Sequence, residues 1–261
     1  MLNRKMMTAA VATAFVAGMG ATQAQALEVS GNVALTTDYK FRGISQSDES
    51  AAIQGGFDVA FEPGFYIGTW GSSVDFDCND IDIPEGHPEV SGACSGYDGS
   101  LELDGYAGWA GPIGDTDFGI DVGYIYYAYP GDDGDDGDYQ EFYVTGSWKD
   151  LSIGVAYSDD YYAETDEFWY VSADYSFSLL EDFTIALHAG YNFLDDEGGF
   201  LAAGPDGKNE DEYVDYSVSV AYEWSGLEFS LAYVGTDLDD EDVFDTDWGD
   251  DQAVFTISKS L

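Results

Sequence analysis

The chain is 261 residues long and carries 52 Asp plus Glu against seven Lys plus Arg, a formal net charge of -45. A surface that acidic repels phosphate, which excludes nucleic-acid binding. Aromatic residues make up 16% of the chain, with 20 Tyr and 16 Phe beside 32 Gly, which excludes a disordered acidic chain, and a mean hydropathy of -0.20 excludes a bundle of membrane helices.

From the amino end, MLNRK is a short basic start, MMTAAVATAFVAGMG a short apolar stretch, and AQA at Ala24–Ala26 a small-residue cleavage site. Residues 1–26 therefore read as a secretory signal peptide, and residues 27–261 as a single domain. Nothing after Leu27 approaches the ~18–20 continuous apolar residues of a spanning helix. Cys78 and Cys94 are the two cysteines. In an oxidising compartment they are expected to form one disulfide, and their spacing matches no zinc motif.

Apolar and polar residues alternate with period two in twelve segments: 28–42, 52–62, 64–76, 101–110, 117–129, 139–149, 151–158, 168–178, 182–193, 212–224, 226–236 and 252–261. In the first, Val29, Gly31, Val33, Leu35, Thr37, Tyr39 and Phe41 share one face, and Ser30, Asn32, Ala34, Thr36, Asp38, Lys40 and Arg42 the other. In the ninth, Phe183, Ile185, Leu187, Ala189, Tyr191 and Phe193 oppose Thr184, Ala186, His188, Gly190 and Asn192. The third, GFYIGTWGSSVDF, is apolar on both faces at its start, so its register stays open.

A soluble sandwich would show the same alternation, but nothing would oblige its long connections to gather at one end. Here they alternate long and short along the whole chain. The long ones carry most of the acidic residues, ending in DLDDEDVFDTDWGDD, and the short ones shrink to the single residues Asp150 or Ser225. The pattern predicts an all-β fold: a transmembrane antiparallel up-and-down β-barrel of about twelve strands, with short periplasmic turns and long acidic extracellular loops. The final segment, DQAVFTISKSL, must pair with the first, because an open sheet edge in lipid strands backbone groups at several kcal/mol each.

Parity assigns to the lumen Asp38, Asp58, Glu102, Asp104, Asp121, Glu141, Asp174, Asp215, Glu223 and Glu228, with Asp75 at the uncertain end of its segment, and also His188. Against these stand Lys40 and Arg42, expected near Gln54 and Ala52 at the outer mouth. Carboxylates around a pore concentrate cations and exclude anions; alternatively they only hydrate a polar interior. A twelve-stranded lumen lies between the filled interior of eight strands and the open channel of sixteen, and inward tyrosines such as Tyr127, Tyr170 and Tyr213 can plug it. In the loops, GDDGDDGDYQE and DLDDEDVFDTDWGDD offer hard oxygen ligands to divalent cations, or simply solvate the surface; neither follows the EF-hand pattern.

Catalysis is not expected. His87 and His188 are the two histidines, and no nucleophile elbow or phosphate loop appears. No cofactor is implied.

The stretch VSGNVALTTDYKFRGISQSDESAAIQGGFDVAFEPGFYIGTWGSSVDF, residues 29–76, resembles the N-terminal signature of the TorF-type porins, also called the Gcw_chp family. The motif residues are Thr37, Asp38, Tyr39, Phe41, Arg42, Gly43, Ser45, Gln46, Gly55, Gly56, Trp70 and Gly71, and the VFTISKSL ending is similar as well. The resemblance implies an integral outer-membrane barrel of a Gram-negative bacterium acting as a porin. The expected function is a passive diffusion channel for small solutes or ions with a weak cation preference, set in outer-membrane lipid and lipopolysaccharide. The alternative is a closed barrel with a structural or ion-binding role through its acidic loops.

Overall fold

The computed structural model describes residues 27–76, 99–131, 137–180, 182–195, 200–201, 210–243 and 246–261. The secretory leader, the Cys78–Cys94 pairing and His87 lie outside the described residues. In chain order the strands are β1 (Glu28–Thr36), β2 (Lys40–Phe41), β3 (Ile44–Ser45), β4 (Ala52–Phe61), β5 (Phe65–Ser73), β6 (Leu101–Pro112), β7 (Phe118–Ala128), β8 (Tyr139–Trp148), β9 (Leu151–Ser158), β10 (Phe168–Leu180), β11 (Phe183–Phe193), β12 (Glu212–Trp224), β13 (Leu227–Thr236) and β14 (Gln252–Ser260). All but β2 and β3 form one closed antiparallel barrel of twelve strands. Its seam joins β14 to β1, with Asn32 opposite Ser260 and Thr36 opposite Thr256, the closure that the last segment predicts.

Alternation sorts the side chains as lipid requires. Val29, Leu35, Ile53, Phe57, Val218 and Leu231 are exposed on the outside. In water these would be an exposed apolar belt; against acyl chains they are the matching surface. Inside, the same strands bury Thr36, Gln54, Ser217, Ser219 and Ser230. The open register of the third segment resolves into Phe65 and Ile67 outward, with Tyr66, Gly68 and Trp70 less exposed on the other face.

Two-residue turns close several hairpins. Between Trp224 and its partner Leu227 stand Ser225 and Gly226 at φ 56° and 78°, the double left-handed geometry that matches strand twist. The same turn recurs where it was not expected. Phe41 pairs with Ile44, and between them Arg42 and Gly43 have φ 47° and 84°. Thus β1 does not run to Arg42 but stops at Thr36, opposite Ala52. The chain leaves the wall and folds a small hairpin, β2–β3, into the barrel. Lys40 stands opposite Ser45, not beside Gln54, whose partner is Ala34. Folded inward, both cations meet oxygen partners: Arg42 the Glu141 carboxylate of β8 and Lys40 the carbonyls of Trp248 and Asp250. Likewise β5 ends at Ser73, so Asp75 is an exposed residue beyond the wall, its amide donating to the Gln46 carbonyl at 2.9 Å.

Candidate functional site

The β2–β3 hairpin lies inside the barrel at the end carrying the long connections, and the residues in and beside it bond to β6, to β8, to the last long connection and to one another. Tyr39 donates its hydroxyl to Glu102 of β6 at 2.8 Å. Lys40 Nζ donates to the backbone carbonyls of Trp248 at 2.9 Å and Asp250 at 3.2 Å, with Asp38 at 3.8 Å. Burial lowers the Lys40 pKa from its ordinary value, opposed by the Asp38 charge. Ser45 and Ser47 donate to one oxygen of Asp38 at 2.7 and 2.9 Å. The Trp248 indole donates to Asp48 at 2.9 Å, fastening the last long connection over the hairpin.

At the tip, the Arg42 guanidinium makes a fork of two hydrogen bonds to Glu141 of β8, 2.7 and 2.9 Å. Its carbon lies 4.3 Å from the ring centre of Tyr170 and 4.7 Å from those of Phe168 and Phe41. A bidentate carboxylate with aromatic faces on the guanidinium is the arrangement best suited to arginine rather than lysine. Gly43 is required beside it: an added Cβ would stand 2.3 Å from Thr236 Cγ2 on β13.

Around the hairpin lies an aromatic cluster of Tyr127, Tyr129, Tyr139, Tyr161, Phe168 and Tyr170, joined by Ile44, Leu201, Tyr213, Val243 and Trp248. Tyr161 stacks on Phe168 with ring centres 4.0 Å apart. Between these groups and Phe41, Phe76 and Tyr162 is a cavity of about 100 Å³. The tyrosines Tyr127, Tyr170 and Tyr213 therefore occupy the interior as parity expects. Tyr161 and Trp248 were not legible as lumen residues, because they stand in connections without period-two alternation.

Further along the barrel, His188 of β11 is held between two carboxylates. Its Nδ1 lies 2.7 Å from Asp174 and its Nε2 2.8 Å from Asp215, with the Tyr170 hydroxyl 2.9 Å from Nε2. Ser217 is its cross-strand partner, but both ring nitrogens are engaged by acids, so the ring is not placed to take a proton from that hydroxyl. Toward the short-turn end, the Tyr66 hydroxyl donates to Asp121 at 2.6 Å and contacts Tyr143, and Tyr106 donates to Asp58.

Of the acids that sequence parity sends inward, Asp38, Glu102, Asp104, Asp121, Glu141 and Asp215 are buried, Asp58 and Asp174 are half-buried, and Glu223 is exposed near the turn, opposite Glu228. Arg42 and Lys40 neutralise part of this set. One oxygen each of Asp104, Asp121 and Asp38 is buried without a hydrogen-bond partner among the described residues. In the last long connection, Asp240, Asp247 and Asp250 bring carboxylate oxygens within 4.8 Å of one another on the surface.

No curated protein matches the chain. Among solved structures, the KdgM porin superposes with a TM-score of 0.52 at 10% identity, over 89% of this chain and 98% of that one. The NanC porin gives 0.52 at 12%, over 90% and 99%. Outer membrane phospholipase A from Escherichia coli gives 0.41 at 10%, over 89% of each, a likeness too low to bear on chemistry. Identities this small speak to fold alone, and the fold is that of transmembrane porin β-barrels. A family model described as "Bacterial protein of unknown function (Gcw_chp)" matches residues 20–261, and the chain belongs to that family.

Proposed function

We propose that the protein is an integral outer-membrane porin, a passive diffusion channel for small solutes or ions with a weak preference for cations. The observation that carries this reading is a closed twelve-stranded barrel, apolar outside and lined within by carboxylates. Such a lining raises the local concentration of cations and repels anions. That the similar KdgM and NanC chains are porins supports the same role here. The β2–β3 hairpin then acts as a constriction at the mouth, where Arg42 and Lys40 set a small positive element against the acidic wall.

In the same reading the long connections face outward among lipopolysaccharide, where Asp240, Asp247 and Asp250 meet divalent cations. The filled mouth favours one second reading, a closed barrel with a surface role. Proteoliposomes separate the two. Swelling in small neutral solutes, with rates falling as solute size rises, is expected of the porin. An absence of swelling for the smallest solute overturns it in favour of the closed barrel. Phospholipid hydrolysis by the refolded protein would contradict both.

A further inference from the structure

Apart from Phe41 of the hairpin itself and Tyr161 of the connection between β9 and β10, the partners of Arg42 belong to the barrel wall. Glu141 comes from β8 and Phe168 and Tyr170 from β10, all in regular strands, and the Tyr127 hydroxyl of β7 donates to Glu141 at 3.3 Å, so the carboxylate is held in place independently of loop residues. The hairpin supplies the cation on a two-residue turn, with Arg42 itself in the left-handed region at φ 47°. A rigid wall that presents a buried acceptor fork and two ring faces is a built guanidinium receptor. Arg42 is the group now seated in it.

The wall also holds a second buried carboxyl group there that the hairpin does not engage. Asp104 is 4% exposed, with one carboxylate oxygen unpartnered among the described residues, and it lies opposite Tyr127 in the β6–β7 register. Asp104 and Glu141 thus flank the same tyrosine from β6 and β8. A buried carboxylate left in this way is stabilised by an arriving cation.

We propose that Glu141, Phe168 and Tyr170, with Asp104 beside them, form a binding site in the lumen for small guanidinium-bearing solutes, and that Arg42 occupies it as a tethered copy of the ligand. This deepens the porin reading and rests on it for its role: the hairpin is displaced when the solute takes its place. A group on a short flexible tether competes at about millimolar effective concentration, and on this ordered hairpin at more, so a solute must be well above millimolar to displace Arg42 from the native protein.

Two measurements on the refolded, detergent-solubilised protein test it. Methylguanidinium titrated calorimetrically into the Arg42→Ala protein should bind at least about tenfold more tightly than methylammonium, and Arg42→Ala/Glu141→Gln should lose that difference. In the unmodified protein, methylguanidinium well above the tethered concentration should open the hairpin to chymotrypsin at Tyr39 and Phe41, whereas methylammonium at equal ionic strength should not. This second measurement needs no variant and distinguishes a receptor from a strut, because a strut stays protected in both salts. Equal binding of the two amines, or protection unchanged by methylguanidinium, overturns the proposal. Neither readout involves ion flux, so failure to conduct would sink the porin reading and leave this one standing, and failure here leaves the porin intact.

Discussion

Arg42, at the tip of a hairpin that begins on one side of the barrel, holds Glu141 of β8 through two hydrogen bonds of 2.7 and 2.9 Å. In strand order β8 lies five strands from β1 by way of β4 to β7, so the pair reaches across the lumen. Breaking one side of a buried ion pair costs ~3–5 kcal/mol, because the other charge is left desolvated. Glu141→Gln should therefore loosen the hairpin by about that amount while the ladder hydrogen bonds keep the barrel closed. Amide hydrogen exchange checks this: residues 38–47 should exchange faster and the amides of β6 to β8 should be unchanged.

Gly43 makes a sharper test of the turn. Its φ of 84° is left-handed, and a Cβ there would meet Thr236 Cγ2 at 2.3 Å. Gly43→Ala carries the left-handed penalty of ~1–2 kcal/mol together with that clash, so the tip must withdraw from β13. Chymotryptic cleavage after Phe41 should rise relative to the parent protein, and Thr236→Ala on the same background should partly restore protection.

These positions show what the sequence could and could not reveal. The wall was legible because one face of every strand must match lipid, so Val29, Val33 and Leu35, or Phe183, Ile185 and Leu187, write the register into the chain. The hairpin was not, because Thr37, Tyr39 and Phe41 continue the same alternation past Thr36. Period two describes a strand without saying which sheet it joins. The signal that distinguishes them is Phe41-Arg42-Gly43-Ile44, a two-residue turn ending in Gly between apolar partners, which reads as a tight hairpin. Parity within the wall strands sends Glu102, Asp104, Asp121, Glu141 and Asp215 inward, whereas Asp38 is buried by the hairpin and the aromatic shell from Tyr161 and Trp248 depends on tertiary packing of connections that carry no period.

His188 should matter for the balance of charge. With Nδ1 against Asp174 and Nε2 against Asp215, His188→Asn leaves at least one carboxylate short of a partner, at ~1–3 kcal/mol for an unsatisfied buried group. Thermal unfolding followed by gel mobility should show the loss, and the added uncompensated charge should strengthen cation preference in a reversal-potential measurement.

Asp251 sets a pH dependence at the rim. It accepts hydroxyls from Tyr216 and Tyr233, 2.6 Å each, and these bonds hold its carboxyl below the ordinary range. A carboxyl depressed in the folded state contributes stability above its unfolded pKa of about 3.9, and that contribution disappears as pH falls through the lower native value. The difference in stability between the parent and Asp251→Asn should be constant near neutrality and should shrink only below about pH 4. A difference that grows on acidification contradicts the assignment.

The central claim is that the carboxylate-lined barrel conducts, and planar-bilayer recording of the refolded protein across a KCl gradient tests it most directly. The account predicts discrete conductance steps with a reversal potential on the potassium-selective side of zero. A bilayer without steps, or a reversal potential of the opposite sign, would contradict it.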